Sequence, residues 1–573
     1  MKFWTLLASF AFTSLSLLPS CTSQSTRNSS YTNPIFPGFH PDPSCIFVPE
    51  WNSTFFCATS SFLAFPGIPI YASRDLQNWK LIGNVLSRPE QLPELANTAK
   101  QTSGIWAPTI RYHNGTFYLA TTLVHDDKDA ADPARWDNIV FSSNDPYDAS
   151  SWSDAVHFDF AGYDTSLFWD EDGQAYATGS HYFRVRPGMD QATIDLKTGD
   201  VGEFATIWTG TGGHAPEGPH VYKKDGYYYL MIAEGGTGVT HMETIARSTA
   251  INGPYTANPA NPILTNANTT EYFQTVGHAD LFQDASGAWW GVALATRSGP
   301  KHVTYPMGRE SVLYPVTWDE GQWPVLSPVR GSMEGWTFPP SDTAIPGNGP
   351  FISSPDAVDF DPGSDLPLHF LHWRFPQADA YAVSPPGHPN SLRLKPSTLN
   401  LTGYDADTAP GGQTLIARRQ EDTYLTFSVD LEFSPEQKDD EAGVTVFLTQ
   451  NQHIDLGLVL LPTNGSLTPH LRLRSQSSNS VPGPVTLSLP ASWQQQSIRM
   501  EIKATNDTHY AFSAGPTTNT SEKQTVGYVP ASAVSGGFTG ALVGVYATSN
   551  GGNGTSEAYV QRWRYEGQGQ RTE

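Results

Sequence analysis

Asn52-Ser53-Thr54-Phe55-Phe56, Asn114-Gly115-Thr116-Phe117-Tyr118, Asp172-Gly173-Gln174-Ala175-Tyr176, Asp225-Gly226-Tyr227-Tyr228-Tyr229 and Ser286-Gly287-Ala288-Trp289-Trp290 share one pattern, a short polar turn followed by an aromatic-rich run. Asn-Gly and Asp-Gly accept the positive φ angles of tight hairpin turns, and the β-branched or aromatic residues after them suit a half-buried strand. Successive copies lie between 53 and 62 residues apart, enough for a four-stranded sheet with its connections. Five such units predict the five blades of a closed β-propeller over residues 31–334.

Twelve of the 16 Trp residues fall between Trp51 and Trp336, where stacked sheets need large aromatics between them. The pattern stops near Gly335. Pro339, Pro340, Pro346, Pro350, Pro355, Pro362 and Pro367 then mark an extended connector over residues 335–368. Beyond it, alternating stretches at 424–433, 443–448, 456–461, 498–504 and 538–546 predict antiparallel strands, with no long amphipathic helix among them. Residues 369–568 are therefore expected to form a β-sandwich. The expected fold class is all-β, a five-bladed β-propeller followed by a β-sandwich.

The chain has 573 residues and a net charge of −23 with neutral histidines. That sign repels phosphate backbones, and no basic patch reverses it, so nucleic acid is not an expected partner while neutral ligands such as sugars remain open. After Lys2, residues 3–18 carry no charge and run into Pro19, Ser20, Cys21 and a Ser/Thr-rich stretch. This is the layout of a secretory signal peptide, taken as residues 1–22; a lipid-modified Cys21 is the competing reading. No later apolar run is long enough for a transmembrane segment, and a secreted, extracellular protein is expected. Nine Asn-x-Ser/Thr sequons, at Asn28, Asn52, Asn114, Asn268, Asn400, Asn464, Asn506, Asn519 and Asn553, permit glycosylation. Cys45 and Cys57 flank a short turn near residues 50–53, and in an exported chain a disulfide between them is expected, two buried free thiols being the alternative.

Three acidic residues are set apart by their framing. Asp42 lies in Phe36-Pro37-Gly38-Phe39-His40-Pro41-Asp42-Pro43-Ser44, where flanking prolines are expected to hold its backbone extended. A rigid carboxylate that orients water is a candidate general base, although the same residues are compatible with a turn cap. Asp164 opens the apolar run Tyr163-Asp164-Thr165-Ser166-Leu167-Phe168 and suits either a site or a strand cap. Glu217 lies in Gly212-Gly213-His214-Ala215-Pro216-Glu217-Gly218-Pro219-His220. In a partly closed pocket near other carboxylates, burial and like charge would raise its pKa and make it a proton donor. All three precede what would be the first strands of separate units, and in a propeller those strand starts converge on an axial pocket.

In order and spacing, Asn33-Pro34-Ile35, the segment around Asp42, Trp106-Ala107-Pro108, Asp164-Thr165-Ser166-Leu167-Phe168, Glu217-Gly218-Pro219-His220, Gly277-His278-Ala279-Asp280 and Gly308-Arg309-Glu310 resemble glycoside hydrolase family 43. This family comprises five-bladed propeller enzymes that include β-xylosidases and α-L-arabinofuranosidases. Gly536-Gly537-Phe538-Thr539-Gly540-Ala541-Leu542-Val543-Gly544 is similar to the concanavalin A-like β-sandwich of its xylosidase-like branch. The resemblance implies an inverting mechanism with Asp42 as general base, Glu217 as general acid and Asp164 as the carboxylate that orients Glu217 and keeps its pKa high. Thr165 stands where the family often has Pro. Arg309 would bond sugar hydroxyls, Trp106 would line the sugar pocket, and Phe538 would reach from the sandwich to close a groove into a pocket for terminal sugars. His278 would lie beneath the sugar and hold a calcium-like ion in a structural role, whereas the hydrolysis itself requires no cofactor; read alone, His278 is a core residue. The expected substrate is a xylooligosaccharide losing terminal β-D-xylosyl residues, with α-L-arabinofuranosyl side chains of arabinoxylan the alternative. A catalytically inactive carbohydrate-binding protein is the reading from another class, and the presence together of three candidate carboxylates argues against it. No Gly-x-Ser-x-Gly elbow supports a serine hydrolase.

Overall fold

The structure, a computed structural model, describes residues 27–403 and 412–573 together with Met1. The expected signal segment, 1–22, lies outside the described residues. The chain is all-β, and its N-terminal half forms five antiparallel sheets in sequence order. In each, the first two strands, leaving aside the two-residue Gly104–Ile105 of the second sheet, make the hairpin that the turn pattern predicts: Ser44–Val48 with Thr54–Ala58, Thr109–His113 with Thr116–Val124, Gly162–Trp169 with Ala175–His181, Glu217–Lys224 with Tyr227–Glu234, and Phe273–Gln283 with Trp289–Arg297. Asn114 and Gly115, at φ +49° and +85°, and Asp225 and Gly226, at +52° and +79°, place both turn residues in the left-handed region. A Cβ on Gly115 or Gly226 would meet nothing within 4 Å, so glycine serves conformation there and not space. The first hairpin turns through a short 3-10 segment, Pro49–Trp51, and sets Cys45 opposite Cys57 in a disulfide.

The first strands of successive sheets touch in order, and that of the fifth sheet, Phe273–Gln283, meets that of the first, Ser44–Val48. The five first strands thus form a ring. The chain start reinforces it: Arg27–Thr32 pairs with Ser332–Trp336, and the Asn33 carboxamide both donates to and accepts from the Leu313 backbone.

The Pro-rich connector lies against the molecule along its length. Leu81 N donates to Pro350 O and Ile352 N to Trp79 O, and Asp356–Val358 pairs with the last strand, Ala558–Gly569. The C-terminal half then builds an eight-stranded and a six-stranded antiparallel sheet, whose facing side chains, among them Phe427, Leu456, Leu473 and Trp563, bury one core. The expected strand at 538–546 begins only at Leu542, so Phe538 lies in the preceding loop.

A second core mixes the two halves, with Phe39 and Phe62 packing in the same cluster as Leu415, Phe447 and Tyr546. Buried arginines cross the junction: Arg419 Nε donates to Phe39 O at 2.9 Å, and Arg297 Nη1 to Thr423 Oγ1 at 3.0 Å. Among the described residues no helix is long and apolar enough to cross a membrane.

Candidate active site

Three of the first strands are broken by bulges where the predicted residues stand. Pairing shifts between Tyr163 and Ser166, between Glu217 and His220, and twice between Gln274 and Asp280. Asp42, Asp164 and His278 take φ values of +54°, +55° and +52°, and Gly218 takes +59°. A bulge re-aims the side chains it carries, and a positive φ costs a non-glycine residue on the order of 1–3 kcal/mol. The extended backbone expected for Asp42 is corrected by this observation: Pro43 only biases the residue before it, and the left-handed conformation stands where Arg309 and Ser60 hold the carboxylate.

These strand starts open on a cavity of about 520 Å³ lined by Asp42, Trp106, Asp164, Glu217, His278, Arg309 and Phe538. Every residue singled out from the sequence as a site candidate therefore meets in one place, though they span five sheets and a loop of the sandwich.

Asp42 is held by a two-pronged contact from Arg309, with Nη1 donating to Oδ1 at 2.9 Å and Nη2 to Oδ2 at 3.2 Å, and by Ser60 Oγ donating to Oδ2 at 2.5 Å. Burial by itself raises the Asp42 carboxyl, but Arg309, His278 and Ser60 outweigh it and hold it below the usual carboxylate range. Glu217 receives far less help. The Tyr163 hydroxyl donates to its Oε2 at 3.3 Å, while burial and then the Asp42 charge push its carboxyl up to about 7. Asp164 accepts from the Gly218 backbone N–H at 3.2 Å, which ties it to the bulge that carries Glu217. Burial, with the neighbouring charges of Glu217 and Asp42, raises Asp164 well above its ordinary value. One cavity thus holds a carboxylate whose pKa is lowered and two carboxyls, Glu217 and Asp164, that hold their protons more tightly than usual, the contrast that general base and general acid require.

An aromatic wall faces these acids. Phe538 stacks on Phe62 with centroids 6.0 Å apart, and Trp106 meets Phe538 and Tyr163 edge-on at 6.1 and 5.4 Å. Arg309 lies over Phe538 at 5.2 Å and donates Nε to the Phe538 carbonyl at 2.9 Å, so the sandwich loop holds the side chain that holds Asp42. Phe62, Tyr163 and Ser60 were not singled out from the sequence; an aromatic or serine beside a strand reads as core or turn, and no local signal marks them. The mouth is formed by Phe183, Arg184 and His214 with the loop around Asp126–Ala130. His214 thus lies at the rim, whereas His220 turns away toward Arg111, its Nδ1 3.0 Å from Nη2.

The residues around His278 do not fit calcium. Its Nδ1 lies 3.9 Å from Asp42 Oδ1 and 4.0 Å from Asp164 Oδ2, but Asp42 already has the Arg309 guanidinium as its cation and accepts from Ser60. Asp280, two residues along, is taken by Arg111, Ser44 and Tyr222. Calcium needs six to eight oxygen ligands, and here the cationic partner is a guanidinium of the chain itself. Among the described residues no group of three or more His, Cys, Asp or Glu is arranged to hold a metal.

The pattern of glycosyl hydrolases family 43 matches residues 31–324, and that of the beta xylosidase C-terminal concanavalin A-like domain matches residues 357–566. A non-reducing end α-L-arabinofuranosidase of Bacteroides ovatus is 34% identical over 548 residues, 93% of this chain and 94% of that protein. A xylosidase/arabinosidase of Butyrivibrio fibrisolvens is 32% identical over 545 residues, 91% of this chain and 96% of its own length. The crystal structure of a family 43 protein from Bacillus licheniformis superposes with a TM-score of 0.79 at 30% identity, covering 94% of this chain and 100% of that one. With its paired carboxyls, its aromatic-walled cavity and both halves matched, the chain belongs to glycosyl hydrolases family 43 and is a glycoside hydrolase.

Proposed function

We propose that the protein is a secreted, exo-acting enzyme that removes terminal β-D-xylosyl residues from xylooligosaccharides by inverting acid–base hydrolysis. The observation that carries this reading is the opposed protonation of Asp42 and Glu217 in one cavity. Asp42 takes a proton from water as the water oxygen bonds to the anomeric carbon. The glycosidic bond breaks with its electron pair passing to the leaving oxygen, which receives the Glu217 proton. Asp164 disfavours charge on Glu217, Arg309 offers its remaining donor capacity to sugar hydroxyls, and Trp106 and Phe538 face the apolar side of the ring. No step uses a metal or organic cofactor. Closure of one side by Phe538 supports release of terminal units, and the lack of a net basic lining supports a neutral pentose.

The ring of five first strands supports reading the N-terminal sheets, residues 31–334, as five propeller blades, joined by the connector at 335–368 to a concanavalin A-like sandwich at 369–568. Export is supported by the signal-like residues 1–22, the Cys45–Cys57 disulfide and the nine sequons. A second reading, release of α-L-arabinofuranose from arabinoxylan, is favoured by the names of the Bacteroides ovatus and Butyrivibrio fibrisolvens relatives. Sugar analysis after incubation with xylobiose and with arabinofuranosyl xylooligosaccharides decides between them. Free xylose supports the first reading, free arabinose alone replaces it with the second, and neither sugar from folded protein supports a binding module.

A further inference from the structure

His241 was not singled out from the sequence and does not line the cavity, yet it stands directly behind Glu217. It precedes the third strand of the fourth sheet, Met242–Ser248, and is fully buried. Its ring rests on Gly277, where an added Cβ would come within 2.7 Å of it. Nδ1 lies 3.0 Å from the Thr275 carbonyl oxygen. A carbonyl only accepts, so Nδ1 carries the hydrogen and the neutral ring presents a lone pair at Nε2. That Nε2 faces Glu217 Oε1 at 3.9 Å, and neither atom has a hydrogen-bond partner.

We propose that His241 is a positioning residue that keeps Glu217 in its acid form, by presenting only a lone pair to the buried oxygen Oε1 and withholding any donor from it. The inference rests on the reading of Glu217 as general acid. Hydrogen-bond donors stabilise an ionised carboxylate, and their absence disfavours it. The chain treats its ionised buried carboxylates in the opposite way: Asp42 receives Arg309 and Ser60, and Asp280 receives Arg111, Ser44 and Tyr222. Burial also holds the His241 ring neutral, its pKa lowered to about 4, so the ring supplies no cation to Glu217.

The other groups facing Glu217 divide in sign. Asp42, from the lead into the first sheet, opposes its ionisation, while Asp164 from the third sheet and Glu243 from its own are buried carboxyls that the Glu217 charge in turn raises. Arg309 and the Tyr163 hydroxyl favour it, and burial lowers the pKa of His278 from the fifth sheet, against the pull of Asp42. His241 faces the one of the two Glu217 oxygens, Oε1, that no donor reaches.

The test uses the full-length chain carrying His241→Gln or His241→Phe, and whichever of xylobiose or an arabinofuranosyl xylooligosaccharide the unaltered protein cleaves. Gln can turn an amide N–H toward Oε1, whereas Phe offers no donor. The upper pH limb of kcat/KM is expected to move down by about one pH unit in His241→Gln, a tenfold loss on the alkaline side, with KM within about twofold of the original. In His241→Phe that limb is expected to stay in place or rise. Limb positions do not depend on the fraction of protein that folds. A Gln profile matching the unaltered protein, or a Phe profile shifted down as far as the Gln profile, overturns the proposal. Should neither variant fold, the 15N signals of histidine-labelled unaltered protein carry the decision: an Nδ1–H tautomer at His241 supports it and an Nε2–H tautomer overturns it. Undiminished activity of Glu217→Gln overturns the acid assignment, and this proposal with it.

Discussion

Asp42 and Glu217 are both buried carboxyls, and what separates them is the donors each receives. Arg309 and Ser60 make Asp42 a charged group in a low-dielectric site, whereas Glu217 has one long bond from Tyr163. Glu217→Gln is expected to lower turnover of natural glycosides by about 10² to 10⁴. The loss should be smaller on aryl glycosides whose leaving group needs little protonation, which steady-state kinetics on both substrates will show. The same residue makes a stability prediction. Its folded pKa is raised from 4.5 to about 7, so its contribution to stability is complete below pH 4.5 and is lost as pH rises through about 7. At higher pH the buried charge costs ~3 kcal/mol. Glu217→Gln should therefore raise Tm at about pH 8 and change it little at about pH 4; equal shifts at both contradict the assignment. Asp42→Asn is expected to be the more severe loss, unrelieved by an activated leaving group, because it disables water activation and leaves Arg309 buried without its charge partner, a change of about 3–5 kcal/mol.

The elements explain why some of this was legible in the sequence and some was not. Asn114-Gly115 and Asp225-Gly226 encode their own positive φ angles, so the hairpins, the number of repeating units and several sandwich strands, 424–433 and 498–504 among them, could be read locally. The left-handed conformations of Asp42, Asp164 and His278 could not, since Asp and His tolerate that region without requiring it; they follow from where neighbouring first strands meet. Phe62, Tyr163 and His241 escaped because an aromatic or imidazole side chain in a strand-rich segment carries no mark of which face it takes. Phe538 was placed in a strand, yet it sits in a loop that approaches the other half closely after it, where an added Cβ on Gly540 would come within 2.3 Å of Met307 O and one on Gly308 within 2.0 Å of Thr539 O. Gly218 is the sharpest test of the bulges. At φ +59°, with an added Cβ 3.1 Å from the His278 ring, Gly218→Ala is expected to misplace Glu217 and lower kcat by about 10² while the protein still folds. Unchanged kcat, measured alongside thermal melting, would show that the bulge does not set the acid's position.

At the scale of the whole molecule, the sandwich is part of the site. Its Phe538 loop supplies both an aromatic face and the carbonyl that fixes Arg309, and Arg297, whose Nε and Nη2 bind Glu310 at 2.7 and 2.8 Å, anchors the neighbouring residue to Thr423 and Gln570 across the junction. Phe538→Ala keeps the backbone carbonyl and removes only the ring. It is expected to raise KM about tenfold, the scale of one aromatic contact, and to weaken the preference for terminal units on longer xylooligosaccharides, as product profiles will reveal; an unchanged profile rules out a direct role for the ring. The central claim is that an ionised Asp42 and a protonated Glu217 act on opposite sides of one anomeric carbon with a water between them. The most direct test is ¹H NMR of the anomeric signals during the first minutes of xylobiose hydrolysis, before mutarotation. The account predicts that the sugar freed from the β-linked terminal unit emerges as α-xylose. Its appearance first as β-xylose would contradict the water-mediated, inverting arrangement.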